Sequence, residues 1–263
     1  LNKNNLVKAI YRNVSSAKLC TTLENEHGVK VSTVEHLLAA VYFANIDNAI
    51  IEIDCDEVPI MDGSAKNFLD TFKKIEIKQL SEKRKYLTVS NKIEVIDGNR
   101  KISIEPNNQT LEVEFQLNYD NQLIGKQKNL VDFDKDDLND VSNSRTFCLY
   151  EDIEKIKKNG LAKGGSLDNA LVVDKGKVLN KEGLRNSKEF VNHKILDLAG
   201  DCILSGYRIL GKIKCYQGGH ELTNLFLHKI FKENSLLNFV EFEDILISKE
   251  AKSNSAFKLV ANA

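Results

Sequence analysis

The sequence predicts an α+β fold, and three observations carry that expectation. Segments with strand periodicity and segments with helix periodicity run in blocks, which argues against a doubly wound parallel sheet. A Val-x-His tripeptide opens a predicted helix that leads into a strand twice, at Val34-Glu35-His36 and at Val191-Asn192-His193. The 263 residues are 42% apolar and 29% charged, enough to fill a core and solvate its surface over about two domains. The echo suits a duplicated α+β unit, each copy a β-sheet packed on helices, and a match this short leaves chance as the alternative.

Taken in order, Ser32-Thr33-Val34-Glu35 fits a capping box, with Ser32 as cap and Glu35 reaching back, so a helix over about Thr33 to Phe43 is expected. Asp47-Asn48 suits a turn, and 49–54 (AIIEID) reads as a β-branched strand. Pro59 and Gly63 mark a loop over 56–64, Ala65 to Lys73 reads as a short helix, and the charged stretch Lys78 to Lys85 is the most linker-like segment. The domain boundary is placed there, giving 1–82 and 83–263. Tyr86 to Leu117 alternates as antiparallel strands do, with turns at Asp97-Gly98-Asn99 and Pro106-Asn107-Asn108. A short helix at Asp152 to Lys158, a turn at Gly164-Gly165 and a strand at Ala170 to Asp174 make a small insertion over about 150–174. Helices over Glu189 to Leu204 and Glu221 to Phe231 flank a strand at Ile209 to Tyr216.

Thirty-seven Lys and Arg balance 38 Asp and Glu, so there is no basic field of the kind that draws nucleic acid or an anionic membrane. The longest apolar run, Leu37 to Ala44, falls far short of the ~20 residues of a membrane-spanning helix. Cys20, Cys55, Cys148, Cys202 and Cys215 show no CxxC pair and read as reduced packing residues of a cytoplasmic protein. The first 23 residues are basic, without an acid and without a signal-peptide core; a trimmed start is expected, with an organelle-targeting leader as the alternative.

His193 and Asp197 lie four apart on a predicted helix, so an imidazole and a carboxylate stack on one face, and Asp201 extends the stripe by a turn. The stripe suits metal ligands, and equally a solvent-facing polar edge. His36 with His193 and Asp197 would make the two-imidazole, one-carboxylate set of a hydrolytic zinc site, which keeps a position open for water, but nothing in the residues alone links His36 to His193, 157 positions away. Glu35 beside it is either a helix cap or a base. His220, after Gly218-Gly219, stands at the mouth of the last helix, where an imidazolium needs a carboxylate such as Asp201. His27 and His228 read as surface residues. Gly164-Gly165-Ser166 matches neither a P-loop nor a serine-hydrolase elbow.

The strings Ser32-Thr-Val-Glu-His36, Ile46-Asp-Asn48, Val58-Pro-Ile-Met-Asp-Gly-Ser64, Ser144-Arg-Thr-Phe147, Gly164-Gly-Ser-Leu-Asp168, Phe190-Val-Asn-His-Lys-Ile-Leu-Asp197 and Gly218-Gly-His220 occur in this order. Together they resemble the UDP-3-O-acyl-N-acetylglucosamine deacetylases, zinc enzymes of lipid A biosynthesis, over nearly the whole chain. The resemblance implies one zinc ion per chain on His36, His193 and Asp197, between two duplicated domains. It implies Glu35 as general base, Thr146 at the carbonyl oxygen, and His220 oriented by Asp201. Lys194, Phe147, Ser166 and Leu167 would meet the substrate, a small acylated UDP-N-acetylglucosamine, with a βαβ insertion receiving the acyl chain. A monomer is expected. The family carries further residues before the point matching Leu1, which implies an N-terminally incomplete first domain, and Cys148 stands where a glycine is common. The alternative is a truncated or non-catalytic homologue that binds the nucleotide sugar without turnover.

Overall fold

Strand alternation over 93–132 and 211–216 builds the largest layer of the computed structural model, which describes residues 3–158 and 164–241. The strands are β1 (Val14–Ser16), β2 (Thr22–Glu24), β3 (Lys30–Val31), β4 (Lys85–Val89), β5 (Ile93–Asp97), β6 (Arg100–Glu105), β7 (Leu111–Asn118), β8 (Lys126–Asp132), β9 (Phe147–Leu149), β10 (Leu171–Asp174), β11 (Lys177–Val178), β12 (Arg208–Ile209), β13 (Gly211–Tyr216) and β14 (Leu237–Glu241). The helices are α1 (Glu35–Phe43), α2 (Lys66–Phe72), α3 (Asn139–Ser142), α4 (Ile153–Lys158), α5 (Glu189–Cys202) and α6 (His220–Lys232). The architecture is α+β, as expected.

The five-stranded sheet runs β5-β6-β13-β7-β8. Every second residue of β7, from Leu111 through Val113 and Phe115 to Leu117, is buried, and β13 alternates in the same way. That period of two gives the sheet one apolar face, which α5 and α6 cover. β13 enters between β6 and β7, antiparallel to the first and parallel to the second. Three smaller sheets, β1-β2-β3, β12-β4-β14 and β11-β10-β9, surround this layer.

Two expectations fail. The segment 49–54 forms no strand: Ile50, Ile51 and Ile53 are exposed and no ladder partner exists among the described residues. β-branched residues favour a pleated surface only where a neighbouring strand supplies the hydrogen bonds. The capping box does not form either. α1 begins at Glu35 rather than Thr33, no side chain caps it, and the Ser32 N–H and hydroxyl both donate to the Asp56 carbonyl at 2.9 Å. Thr33, at φ 57°, donates to Glu57 at 2.8 Å. The Ser-Thr pair ties α1 to the 56–58 loop, and the Glu35 carboxylate is left for other partners.

From Phe147 to Asp174 the order is β9, α4, β10, with the two strands parallel. Part of this span, 159–163, lies outside the described residues, including Leu161 in the expected acyl passage.

α1 and α5 cross at close range because α5 carries Gly200 there. A β-carbon on Gly200 would lie 2.1 Å from the Glu35 carbonyl oxygen. Gly200→Ala is expected to destabilise the protein by about 1–3 kcal/mol, the usual cost of overpacking a tight contact. Urea unfolding checks this, and an unchanged midpoint would mean that α1 moves aside freely.

Candidate metal and acid–base site

α1, α5 and α6 each bring polar side chains into the interior at one place. α1 is buried on all sides over Glu35 to Tyr42, so its first-turn acid and imidazole have no route to solvent by rotation. Along α5, the stripe of His193, Asp197 and Asp201 is buried to 1%, 4% and 3% exposure, which overturns the solvent-facing reading. α6 starts at His220, behind Gly218, where a β-carbon would strike the Cys215 sulfur at 2.2 Å.

His36, His193 and Asp197 offer ligand atoms within 4.8 Å of one another. Asp197 Oδ1 lies 3.5 Å from His36 Nε2 and 3.3 Å from His193 Nε2. The two imidazole rings stand edge to face, with centroids 5.0 Å apart. His193 Nδ1 donates to the Ser144 carbonyl at 3.0 Å, which turns the Nε2 lone pair inward. His36 Nδ1 and Asp197 Oδ1 are buried without a hydrogen-bond partner. Buried polar atoms are normally satisfied, so the orphaned Asp197 oxygen, which faces the Nε2 atoms of both imidazoles, fits a divalent metal such as zinc.

Burial pushes the His193 imidazole down to about 3, against the pull of Asp197, so it is neutral and available as a ligand near neutral pH. Asp197 is held well below the usual carboxylate range: burial opposes its charge, but His193, Lys194 and His36 outweigh burial. Lys194 Nζ donates to Asp197 Oδ2 at 2.8 Å and lies 5.4 Å from the Phe147 ring centre.

Two further groups flank the cluster. Burial raises the Glu35 pKa, although His220 and His36 partly offset it. His220 Nδ1 donates to Asp201 Oδ2 at 2.7 Å, while its Nε2 faces Glu35 Oε1 at 3.9 Å and Asp197 Oδ2 at 4.0 Å. Burial and the helix N-terminus both oppose a charged imidazole there. Asp201, Glu35 and Asp197 overcome that opposition and raise His220 to about 10. The sequence-derived pairing of His220 with Asp201 is therefore present.

Thr146 follows two residues after the carbonyl that holds His193, and its N–H donates to the Gly63 carbonyl at 2.7 Å. Gly63 itself sits at φ +83°, so close to Asn169 that a β-carbon would lie 2.1 Å from that residue's carbonyl oxygen. Phe147 packs against His193, Phe190 and Tyr119. Ser166 and Leu167 lie on the exposed loop before β10, outside the buried cluster. There Ser166 accepts the Asp168 N–H and Leu167 accepts from Asn180. His27 and His228 are exposed, as expected, but so is Cys55, which packs nothing.

Three partners escaped the sequence reading. Thr21 donates its N–H to Glu35 Oε2 at 3.0 Å and its hydroxyl to Asp201 Oδ1 at 2.7 Å. The buried Glu189 carboxylate accepts from the backbone N–H and the guanidinium of Arg145, 1% exposed, and so anchors the Ser144 to Thr146 segment. Gly63 receives Thr146. An arginine inside the Ser144-Arg-Thr-Phe147 string was the one available signal, and its burial shows only in the fold; Thr21 offered none.

A buried donor set of two imidazoles and a carboxylate, with a carboxylate and an imidazole of raised pKa beside it, has the ligand types and acid–base neighbours that a metal-dependent hydrolase uses. The model of the UDP-3-O-acyl N-acetylglycosamine deacetylase family, LpxC, matches residues 1–232, and the chain belongs to that family. The chain is 40% identical over 233 residues to the UDP-3-O-acyl-N-acetylglucosamine deacetylase of Pseudoalteromonas translucida, covering 88% of this chain and 77% of that protein. It is 41% identical over 234 residues to the protein of that name from Mannheimia succiniciproducens, covering 88% and 76%. With the protein of that name from Shewanella pealeana the identity is 37% over 260 residues, 98% of this chain and 83% of that protein. No helix among the described residues is long and apolar enough to cross a membrane.

Proposed function

We propose that the protein is a zinc-dependent amidohydrolase that removes the N-acetyl group of UDP-3-O-(3-hydroxyacyl)-N-acetylglucosamine, releasing acetate at the committed step of lipid A biosynthesis. The observation that carries this reading is the buried His36–His193–Asp197 set, with Asp197 Oδ1 left without a hydrogen-bond partner between the two imidazoles, beside Glu35 and His220 in a chain of the deacetylase family. When bound by these three residues, zinc supplies Lewis acidity to a water and to the amide carbonyl.

Glu35 is the base. Its burial raises its proton affinity, which favours taking a proton from the attacking water. His220, kept cationic by Asp201, faces the same space as Glu35, stabilises the oxyanion and gives a proton to the departing amine. The carbon–nitrogen bond then breaks, acetate leaves with the water's oxygen, and the amine remains on the sugar. The Thr146 hydroxyl assists at the carbonyl oxygen, and Lys194 and Phe147 flank the sugar. The βαβ element receives the acyl chain, with Ser166 and Leu167 at its entrance. Residues 1–82 and 83–263 are read as two related α+β units, each contributing one Val-x-His helix to the site.

The test is acetate release from the acylated UDP-sugar by the zinc-loaded chain. Turnover is expected, lost on chelation and restored by zinc. Binding of the nucleotide sugar with no acetate release at stoichiometric zinc would favour the non-catalytic alternative.

A further inference from the structure

Two of the site's acids, Glu35 and Asp201, are joined by one residue. Thr21, 2% exposed, precedes β2 and sits between α1 and α5. Its N–H holds Glu35 Oε2, its hydroxyl holds Asp201 Oδ1, and its carbonyl accepts the Val34 N–H at the start of α1, at 3.3 Å. Each carboxylate thus has one oxygen tied to Thr21 and the other aimed at His220: Asp201 Oδ2 at Nδ1, Glu35 Oε1 toward Nε2.

A carboxylate turns about its last torsion in a broad well, so an acid with one oxygen unheld samples many orientations. In a buried site the lost donor also leaves an unsatisfied oxygen, which drives rearrangement. The hydroxyl on Asp201 removes that freedom, and the backbone donor on Glu35 keeps the base at a fixed distance from the imidazole.

We propose that Thr21 is a positioning residue for the reaction, which holds Asp201 and Glu35 so that both present an oxygen to His220. It acts through those acids and not on the substrate, and the proposal rests on the reading of Glu35 and His220 given above.

Thr21→Val keeps the shape and the backbone N–H but removes the hydroxyl; Thr21→Ser keeps the hydroxyl. In the zinc-loaded full chain, Thr21→Val is expected to lower kcat about 10–100-fold, the usual effect of losing an outer-shell partner, with zinc content unchanged. KM should change little, because the lost contact is to catalytic acids. Thr21→Ser should recover most of the turnover. In an Asp201→Asn background, Thr21→Val should add less than about twofold, because coupled residues are not additive. If Thr21→Val does not fold, Thr21→Ala against Thr21→Ser makes the same comparison. Unchanged kcat in Thr21→Val, equal losses in the serine and valine variants, or a full loss retained in Asp201→Asn would each overturn the proposal. His220→Ala in the same assay separates the two readings. If it too is as active as wild type, the acid–base assignment itself has failed; if it alone loses turnover, only the role of Thr21 has.

Discussion

Glu35→Gln is expected to keep its zinc and to lose about 10²–10⁴-fold in turnover, the range for a missing general base. The amide nearly matches the carboxylate in shape and retains an oxygen to accept the Thr21 N–H, so the packing of α1 against α5 should survive. What it loses is the ability to take a proton. Because no side chain caps α1 and Glu35 does not reach back to Ser32, the substitution removes no capping contact, and a fall in rate reports chemistry rather than helix fraying. Single-turnover acetate release with zinc measured on the same sample is the check. Near-full activity would place the base elsewhere and leave Glu35 as a buried acid without a catalytic role.

His193→Ala is expected to abolish tight zinc binding and, with it, turnover. The imidazole is held at about 3, neutral near pH 7, and the Ser144 carbonyl fixes its tautomer, so the site is preorganised for a cation and loses one of three donors outright. Added zinc should raise the unfolding temperature of the wild-type chain, since a ligand that binds only the native state stabilises it, and should leave that of His193→Ala where it was. His220→Ala, by contrast, should retain zinc, since His220 hydrogen-bonds Asp201 and lies 4.0 Å from the nearer Asp197 oxygen, which Lys194 holds. Metal analysis showing stoichiometric zinc in His193→Ala would remove His193 from the ligands.

The α-helices were legible where periodicity was long and unbroken. α5 spells out its own geometry, because residues four apart must share a face, and His193, Asp197 and Asp201 fall on one stripe whatever surrounds them. β7 and β13 were equally plain, since alternation of apolar and polar residues forces one face inward. β8 (KQKNLVD) and β14 were missed. β8 is largely exposed and carries little apolar signal, and β14 exists as a strand only because β4 lies beside it. The opposite error occurred at 49–54, where β-branched residues stand without a ladder. A capping box was read at Ser32 from a pattern that the loop at Asp56 to Val58 claims instead, because tertiary hydrogen bonds outcompeted the local one.

By itself, the sequence determined the donor types, the spacing of ligands within α5, the pairing of an acid and an imidazole at the head of α1, and the glycines that bring α6 to its histidine. These are local properties, set by covalent neighbours and helix pitch. The tertiary structure alone turns the stripe on α5 inward, brings His36 to Asp197, and lets Thr21 reach Asp201, 180 positions away, while it also holds Glu35. Such contacts depend on how closely α1 and α5 cross, which Gly200 permits, and on the Arg145–Glu189 pair that anchors the segment leading into β9. Burial then does the rest: the same carboxylates and imidazoles on an exposed helix would keep ordinary proton affinities, and desolvation at the crossing point is what drives Glu35 up and His193 down.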